Sequence, residues 1–178
     1  MSTVTGSHHT NVDILFCGQA LKLGEDTKKE GELLHRYDIY LLNQEIARQF
    51  IQMENKLFHL FKEYETVPSL RQEAQKQVDY ICRPISIHHL GEWLSSAQIT
   101  SFPQGEGDGF VYYLEGSEGV KLMLSERRVQ IWSTLDMEDE WLWFDHLQAY
   151  DPYFFACDVE REKYGWLKPI KMHMHLFG

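Results

Sequence analysis

Cysteine is scarce in this sequence: three residues in 178, Cys17, Cys82 and Cys157, odd in number and far apart. No CxxC pair occurs, so neither a zinc framework nor a disulfide scaffold is signalled, and a reduced, cytoplasmic setting fits best. Long apolar runs are missing too; none approaches the ~20 residues that a membrane-spanning helix needs. The N-terminus lacks a basic region followed by an apolar stretch, so it does not read as a secretory signal. Basic residues are few: Lys plus Arg is 17 against 27 Asp plus Glu, a formal net charge of −10. Such a chain is repelled by phosphate backbones and anionic membranes, which argues against direct nucleic-acid or membrane binding. The motifs of common catalysts are absent as well. There is no GxSxG, HExxH or EF-hand pattern, and GEGDG (105–109) has neither the spacing nor the lysine of a phosphate loop. Nothing signals a cofactor, a resident metal or a small-molecule substrate.

What is present is globular. Hydrophobic residues make up 43% and aromatics 13%, enough for one well-filled core. Residues 36–42 (RYDIYLL) are rich in aromatic and β-branched side chains and predict a strand. Asn43 is a suitable N-cap for a helix over 44–64, in which Ile46, Phe50, Met53, Leu57, Phe61 and Tyr64 recur at steps of three or four. A second helix is expected over 70–80, stopping before Arg83-Pro84, because the residue before proline disfavours helix. A short helix over 88–96 carries Leu90, Trp93 and Leu94, and GEGDG reads as a flexible acidic loop. Strands follow at 110–114, 120–124 and 129–133, then a helix over 136–150 with carboxylates at its positive end. An apolar strand at 153–159 follows, and YGWLKP (164–169) with a short tail finishes the chain. The fold class is α+β: one compact domain with a mixed, mainly antiparallel sheet packed against helices.

Possible chemistry is thin. His88-His89 and His173-x-His175 are the two histidine groups, and the second can meet one metal if extended, yet no third ligand is fixed by spacing. They carry the alternative reading of a small metal- or ligand-binding enzyme. Cys157 sits in an apolar run and reads as a core residue; Cys82 has only Arg83 beside it to favour a thiolate. Asp136, Glu138, Asp139 and Glu140 read as a solvated helix start rather than an acid–base pair.

Residues 44–64 are more informative. Rows through Ala47–Ile51 and through Ile46–Phe50–Met53 together cover more than the roughly 100° stripe that one core contact needs. Either this helix is sandwiched, or its first turns expose an apolar patch for a protein partner or for self-association.

Three blocks, YLLNQEIARQF…LFHLFKEY (40–64), QVDYICRPI (77–85) and FFACDVEREKYGWLKPIK (154–171), resemble the sporulation inhibitor of replication family, SirA. KYGWLKP is the most specific of them, and the resemblance covers 36–171. It implies an inhibitor and not an enzyme. Members of this family bind the N-terminal domain of the replication initiator DnaA and block its assembly at the chromosomal origin at the onset of sporulation. The matching contact positions are Ile46, Ala47, Phe50, Gln77 and Pro169. Aromatics stand at the first and third of them in the family; here Ile46 and Phe50 keep the apolar character without a tyrosine hydroxyl. A 1:1 complex with the initiator domain is expected.

The family pattern begins near Arg36, which makes residues 1–35 an N-terminal extension, poorly ordered or the product of a start codon assigned too far upstream, and 36–178 the SirA-like domain. VDILFC (12–17) can form a strand, and GEDTKKEGE (24–32) reads as a solvated linker. Lys29-Glu30-Gly31 can be encoded by AAGGAGG, a ribosome-binding sequence, shortly before Leu33 and Leu34, either of which a TTG start would encode. The gene sequence decides between these.

Overall fold

A computed structural model describes residues 34–96, 104–106, 109–113, 120–134 and 140–170. Its elements run β1 (Leu34–Leu41), α1 (Gln44–Gln49), α2 (Glu54–Thr66), a single 3-10 turn (Pro68–Leu70), α3 (Arg71–Ile81), α4 (Ile87–Ser96), β2 (Gln104–Glu106), β3 (Gly109–Tyr113), β4 (Val120–Leu124), β5 (Val129–Thr134), α5 (Glu140–Tyr150), β6 (Phe154–Asp158) and β7 (Lys163–Trp166). The seven strands form one sheet in the order β2-β3-β4-β5-β1-β6-β7. Every pairing among the described strands is antiparallel.

β1 lies between β5 and β6, with Asp38 opposite both Gln130 and Cys157. Ile39, Tyr40, Leu41 and Leu42 are all buried, and so is every residue of β6. Neighbouring side chains on a strand point to opposite faces, so continuous burial requires a layer on each side. Ile39, Leu41, Phe154 and Ala156 join Leu90 and Leu94 of α4 and Trp143 and Leu147 of α5. Tyr40, Leu42, Phe155 and Cys157 join Ala47 of α1, Leu57, Phe58 and Phe61 of α2, and Val78 and Ile81 of α3. The sheet is therefore covered by α1–α3 on one face and by α4 and α5 on the other.

The chain changes face along residues 82–86. Ile81 belongs to the α1–α3 cluster and Ile85 to the α4–α5 cluster. Pro84 keeps this link extended. Backbone bonds fix it: Arg83 N donates to Leu41 O (2.9 Å) and Ile85 N to Glu126 O (2.7 Å).

The strand and helix order matches the expected α+β class, with three revisions. The helix expected over 44–64 is two helices. α1 closes at Phe50, whose N–H donates to Ile46 O and Ala47 O, and Gln52 takes φ 68°, which ends any helix. Glu54 Oε1 accepts the Gln52 N–H at 3.1 Å and holds the turn. The apolar spacing runs unbroken across the turn because both helices pack on the same cluster, so periodicity alone cannot see the break. Second, the expected GEGDG loop is partly strand: Gln104–Glu106 pairs with β3, Gly105 opposite Phe110. Unpaired backbone groups at the edge of β3 supply the ladder that residue composition does not predict. Third, β1 takes in Leu34 and His35, two residues assigned to the extension, paired with Thr134 and Ser133. The remainder of the extension with its VDILFC strand, the start of the helix expected at 136, and the tail with His173 and His175 lie outside the described residues.

Candidate functional site

The start of α1 is tied to the end of α3. Asn43 N donates to Ile81 O (2.9 Å), Asn43 Nδ2 to Tyr80 O (3.0 Å), and Leu42 bridges to Cys82. With α2 packed on α3, the three helices enclose a concavity of about 450 Å³. Phe50, Leu57, Leu60 and Ile81 form its apolar surface, Gln77 and Tyr80 its polar-tipped wall, and Lys56 and Lys76 its rim. Tyr80 is 74% exposed, an unusual setting for a large aromatic residue that does no work in the core.

The expected contact residues fall as follows. Phe50 is half-buried at the edge of the core and opens into the concavity; Gln77 is exposed on its wall. Ile46 is half-buried one turn before Phe50 on α1. Ala47 is fully buried, so its side chain seats α1 on the core and offers no surface. Pro169 is exposed beyond β7, next to Ile170, which packs on the α1–α3 cluster. Phe50 and Gln77 are thus brought together from two helices, 27 residues apart in sequence. Sequence reasoning missed Lys56, Leu60, Lys76 and Tyr80. The signal was present for Tyr80 and Ile81, which lie three and four residues after Gln77 and share its helix face.

A charged cluster ties the C-terminal end of α2 to the sheet. Asp38, 1% exposed, accepts from Gln130 Nε2 (2.7 Å) and Arg36 Nε (2.9 Å). Glu65, at the end of α2, accepts from Arg36 Nη2 (3.1 Å), Tyr40 Oη (3.0 Å) and Arg128. Two arginines face two carboxylates, so the buried charges are balanced and hydrogen-bonded, as burial demands. Tyr40 also stacks on Phe61 of α2 at 3.9 Å. Burial, reinforced by Asp38 and Glu65, pushes the Tyr40 hydroxyl well above its ordinary range, so it stays a donor.

The alternative chemistry finds no assembly. His88 and His89 are exposed on α4, with their rings 5.9 Å apart, and His88 meets Glu92 at 3.3 Å on the surface. Among the described residues no group of three metal-ligating side chains converges. Cys157 is fully buried, its thiol donating to Asp38 O, and burial followed by the nearby carboxylates pushes its pKa well up. The Cys82 thiol is pushed up to about 12, by burial and then by Asp79, so Arg83 does not activate it. Glu140 accepts from Tyr37 Oη (3.2 Å) and Ser133 Oγ, a structural bridge between α5 and the sheet.

Comparison with known proteins agrees with the sequence blocks. A family model described as the sporulation inhibitor of replication protein SirA matches residues 35–171. The sporulation inhibitor of replication protein SirA of Bacillus subtilis (strain 168) is 29% identical over 142 residues, which cover 76% of this chain and 94% of that relative. The match runs from the first residues of β1 past the end of β7 and takes in every helix that lines the concavity, so the chain belongs to the sporulation inhibitor of replication protein SirA family.

Proposed function

We propose that this chain inhibits initiation of chromosome replication during sporulation by binding, 1:1 and in the cytoplasm, the N-terminal domain of the initiator DnaA. Inhibition is steric: the bound chain occupies a surface that the initiator needs for assembly at the origin. No catalysis is involved. The observation that carries this reading is the convergence of half-buried Phe50 and exposed Gln77 on one open, mostly apolar concavity. Ile46, half-buried one turn before Phe50, and exposed Pro169 beyond β7 are further contact positions outside the concavity, and buried Ala47 seats α1 on the core. Gln77 can both donate and accept at the rim, which orients the partner. A standard interface buries about 1,200–2,000 Å² and depends on a few central residues. Phe50 is the central one here.

The test is a titration of the full chain with the purified initiator domain, wild type against Phe50→Ala. Saturable 1:1 binding is expected, weakened by about 2 kcal/mol or more in the variant while its circular dichroism is unchanged. Absence of binding in the wild type would reject the reading. A dimer in sedimentation without any partner would assign the same face to self-association.

A further inference from the structure

Among the described residues five arginines are held in ion pairs with carboxylates. Arg36 and Arg128 face Asp38 and Glu65, Arg83 faces Asp151, Arg127 faces Asp79, and Arg161 faces Asp158. Of the cations left without such a partner among the described residues, Lys56 on α2 and Lys76 on α3 are the two that line the concavity. Both are exposed, both line the concavity together with Phe50, Leu57, Leu60 and Ile81, and neither makes an ion pair among the described residues. A lysine stem lies along apolar surface while its ammonium reaches water, so two rim lysines frame an apolar seat without closing it.

We infer that Lys56 and Lys76 recognise carboxylates on the partner, whose docking face therefore carries an apolar residue flanked by Asp or Glu side chains. The inference rests on the reading of this concavity as the initiator-binding site. The charge argument is local. At physiological ionic strength the screening length is about 8 Å, so the overall −10 of the chain is mostly screened at the groove while the two rim ammoniums act at contact distance. On a chain with 27 acidic against 17 basic residues, two unpaired cations beside an apolar floor select an acidic rim on the partner and reject a basic one. Complementarity of this kind sets register and association rate more than it adds affinity.

The experiment titrates the full chain with the N-terminal domain of DnaA at 50 and 500 mM NaCl. It compares wild type, Lys56→Gln/Lys76→Gln, Lys76→Glu and Phe50→Ala, each checked for an unchanged melting temperature. The wild type is expected to bind about tenfold or more tightly at the lower salt. The double variant is expected to bind about fivefold more weakly at 50 mM, chiefly through slower association, and to lose most of its salt dependence. Lys76→Glu should weaken binding further than loss of one charge does. Phe50→Ala should weaken binding at both salt concentrations and keep the salt slope. If the lysine variants match wild type in affinity and slope while Phe50→Ala still weakens binding, the rim inference falls and the docking site stands. If wild type does not bind at all, both fall. Saturable binding of a short oligonucleotide, lost in the double variant, would make the groove a polyanion site and overturn the inference.

Discussion

The two faces of the sheet are equally buried and differently built. Toward α4 and α5, β1 and β6 present Ile39, Leu41, Phe154 and Ala156 to Leu122, Leu124, Val129, Ile131, Trp143 and Leu147. That face is held mostly by apolar contact and shape, with Glu140 bridging α5 to Tyr37 and Ser133. Toward α1–α3, the same strands present Tyr40, Leu42, Phe155 and Cys157, and beside them lie Asp38, Gln130, Arg36, Arg128 and Glu65 in a bonded network. Apolar contacts stabilise without direction, whereas a charge network tolerates few arrangements of its members. The difference teaches where each is needed. On the α4–α5 face packing dominates, while on the α1–α3 face the network fixes the end of α2, the helix that brings Leu57 and Leu60 to the concavity with Phe50 and Gln77.

That division can be broken from either side. The largest effect is expected from Trp143→Ala, a fully buried side chain on the α4–α5 face: a loss of about 3–5 kcal/mol in urea denaturation. The folded fraction should still bind the initiator domain normally; weakened binding at equal folded concentration would erase the distinction between the faces. Next is Asp38→Ala, which leaves Arg36 and Arg128 facing Glu65 alone. Removing one member of a buried pair is costly, but Arg36 is 35% exposed and water relieves part of it, so about 2–4 kcal/mol is expected. Here affinity should fall with stability, because α2 loses an anchor; unchanged affinity would show that the clamp does not position the site.

A smaller effect follows from the thiols, both on the α1–α3 face. Folded Cys82 holds its proton up to about 12, against an ordinary value of 9.0, and folded Cys157 shifts in the same direction. A group whose folded pKa is raised contributes stability that is complete below its unfolded pKa and lost as pH climbs toward the folded one. Denaturation midpoints should therefore stay level to about pH 9 and decline above it, less steeply in Cys82→Ala; a midpoint unaffected between pH 8 and 10.5 would contradict the burial assigned to both thiols. The smallest effect is His88→Ala. Its partner Glu92 is 68% exposed, so stability should change by no more than about 0.5 kcal/mol and binding not at all. A clear loss of affinity would mean that the α4 side also takes part in recognition.

Much of this architecture was legible in advance, for identifiable reasons. β1 and β6 are dense in aromatic and branched residues with breakers at their ends, and α3 stops where Arg83-Pro84 requires. Only the resemblance of their sequence blocks joins Phe50 and Gln77 as expected contact positions, since nothing in spacing joins positions 27 apart. Lys56, Lys76 and Tyr80 escaped notice because a surface lysine or tyrosine carries no signal until its neighbours in space are known. The break at Gln52 escaped for a different reason: two short helices that lean on one cluster repeat the spacing of one long helix.

The sequence alone determined the α+β class, the order of the main elements and the family. Those follow from local preference and periodicity, which are properties of neighbouring residues. Tertiary structure decided the rest. It set the sheet order β2-β3-β4-β5-β1-β6-β7, divided the helices between two faces, turned α1 against α2 at a left-handed Gln52, and gathered Phe50, Gln77 and two lysines around one concavity. Each of these depends on which distant segment satisfies a strand edge, covers an apolar face or balances a buried carboxylate, and such partners are fixed only when the whole chain has packed.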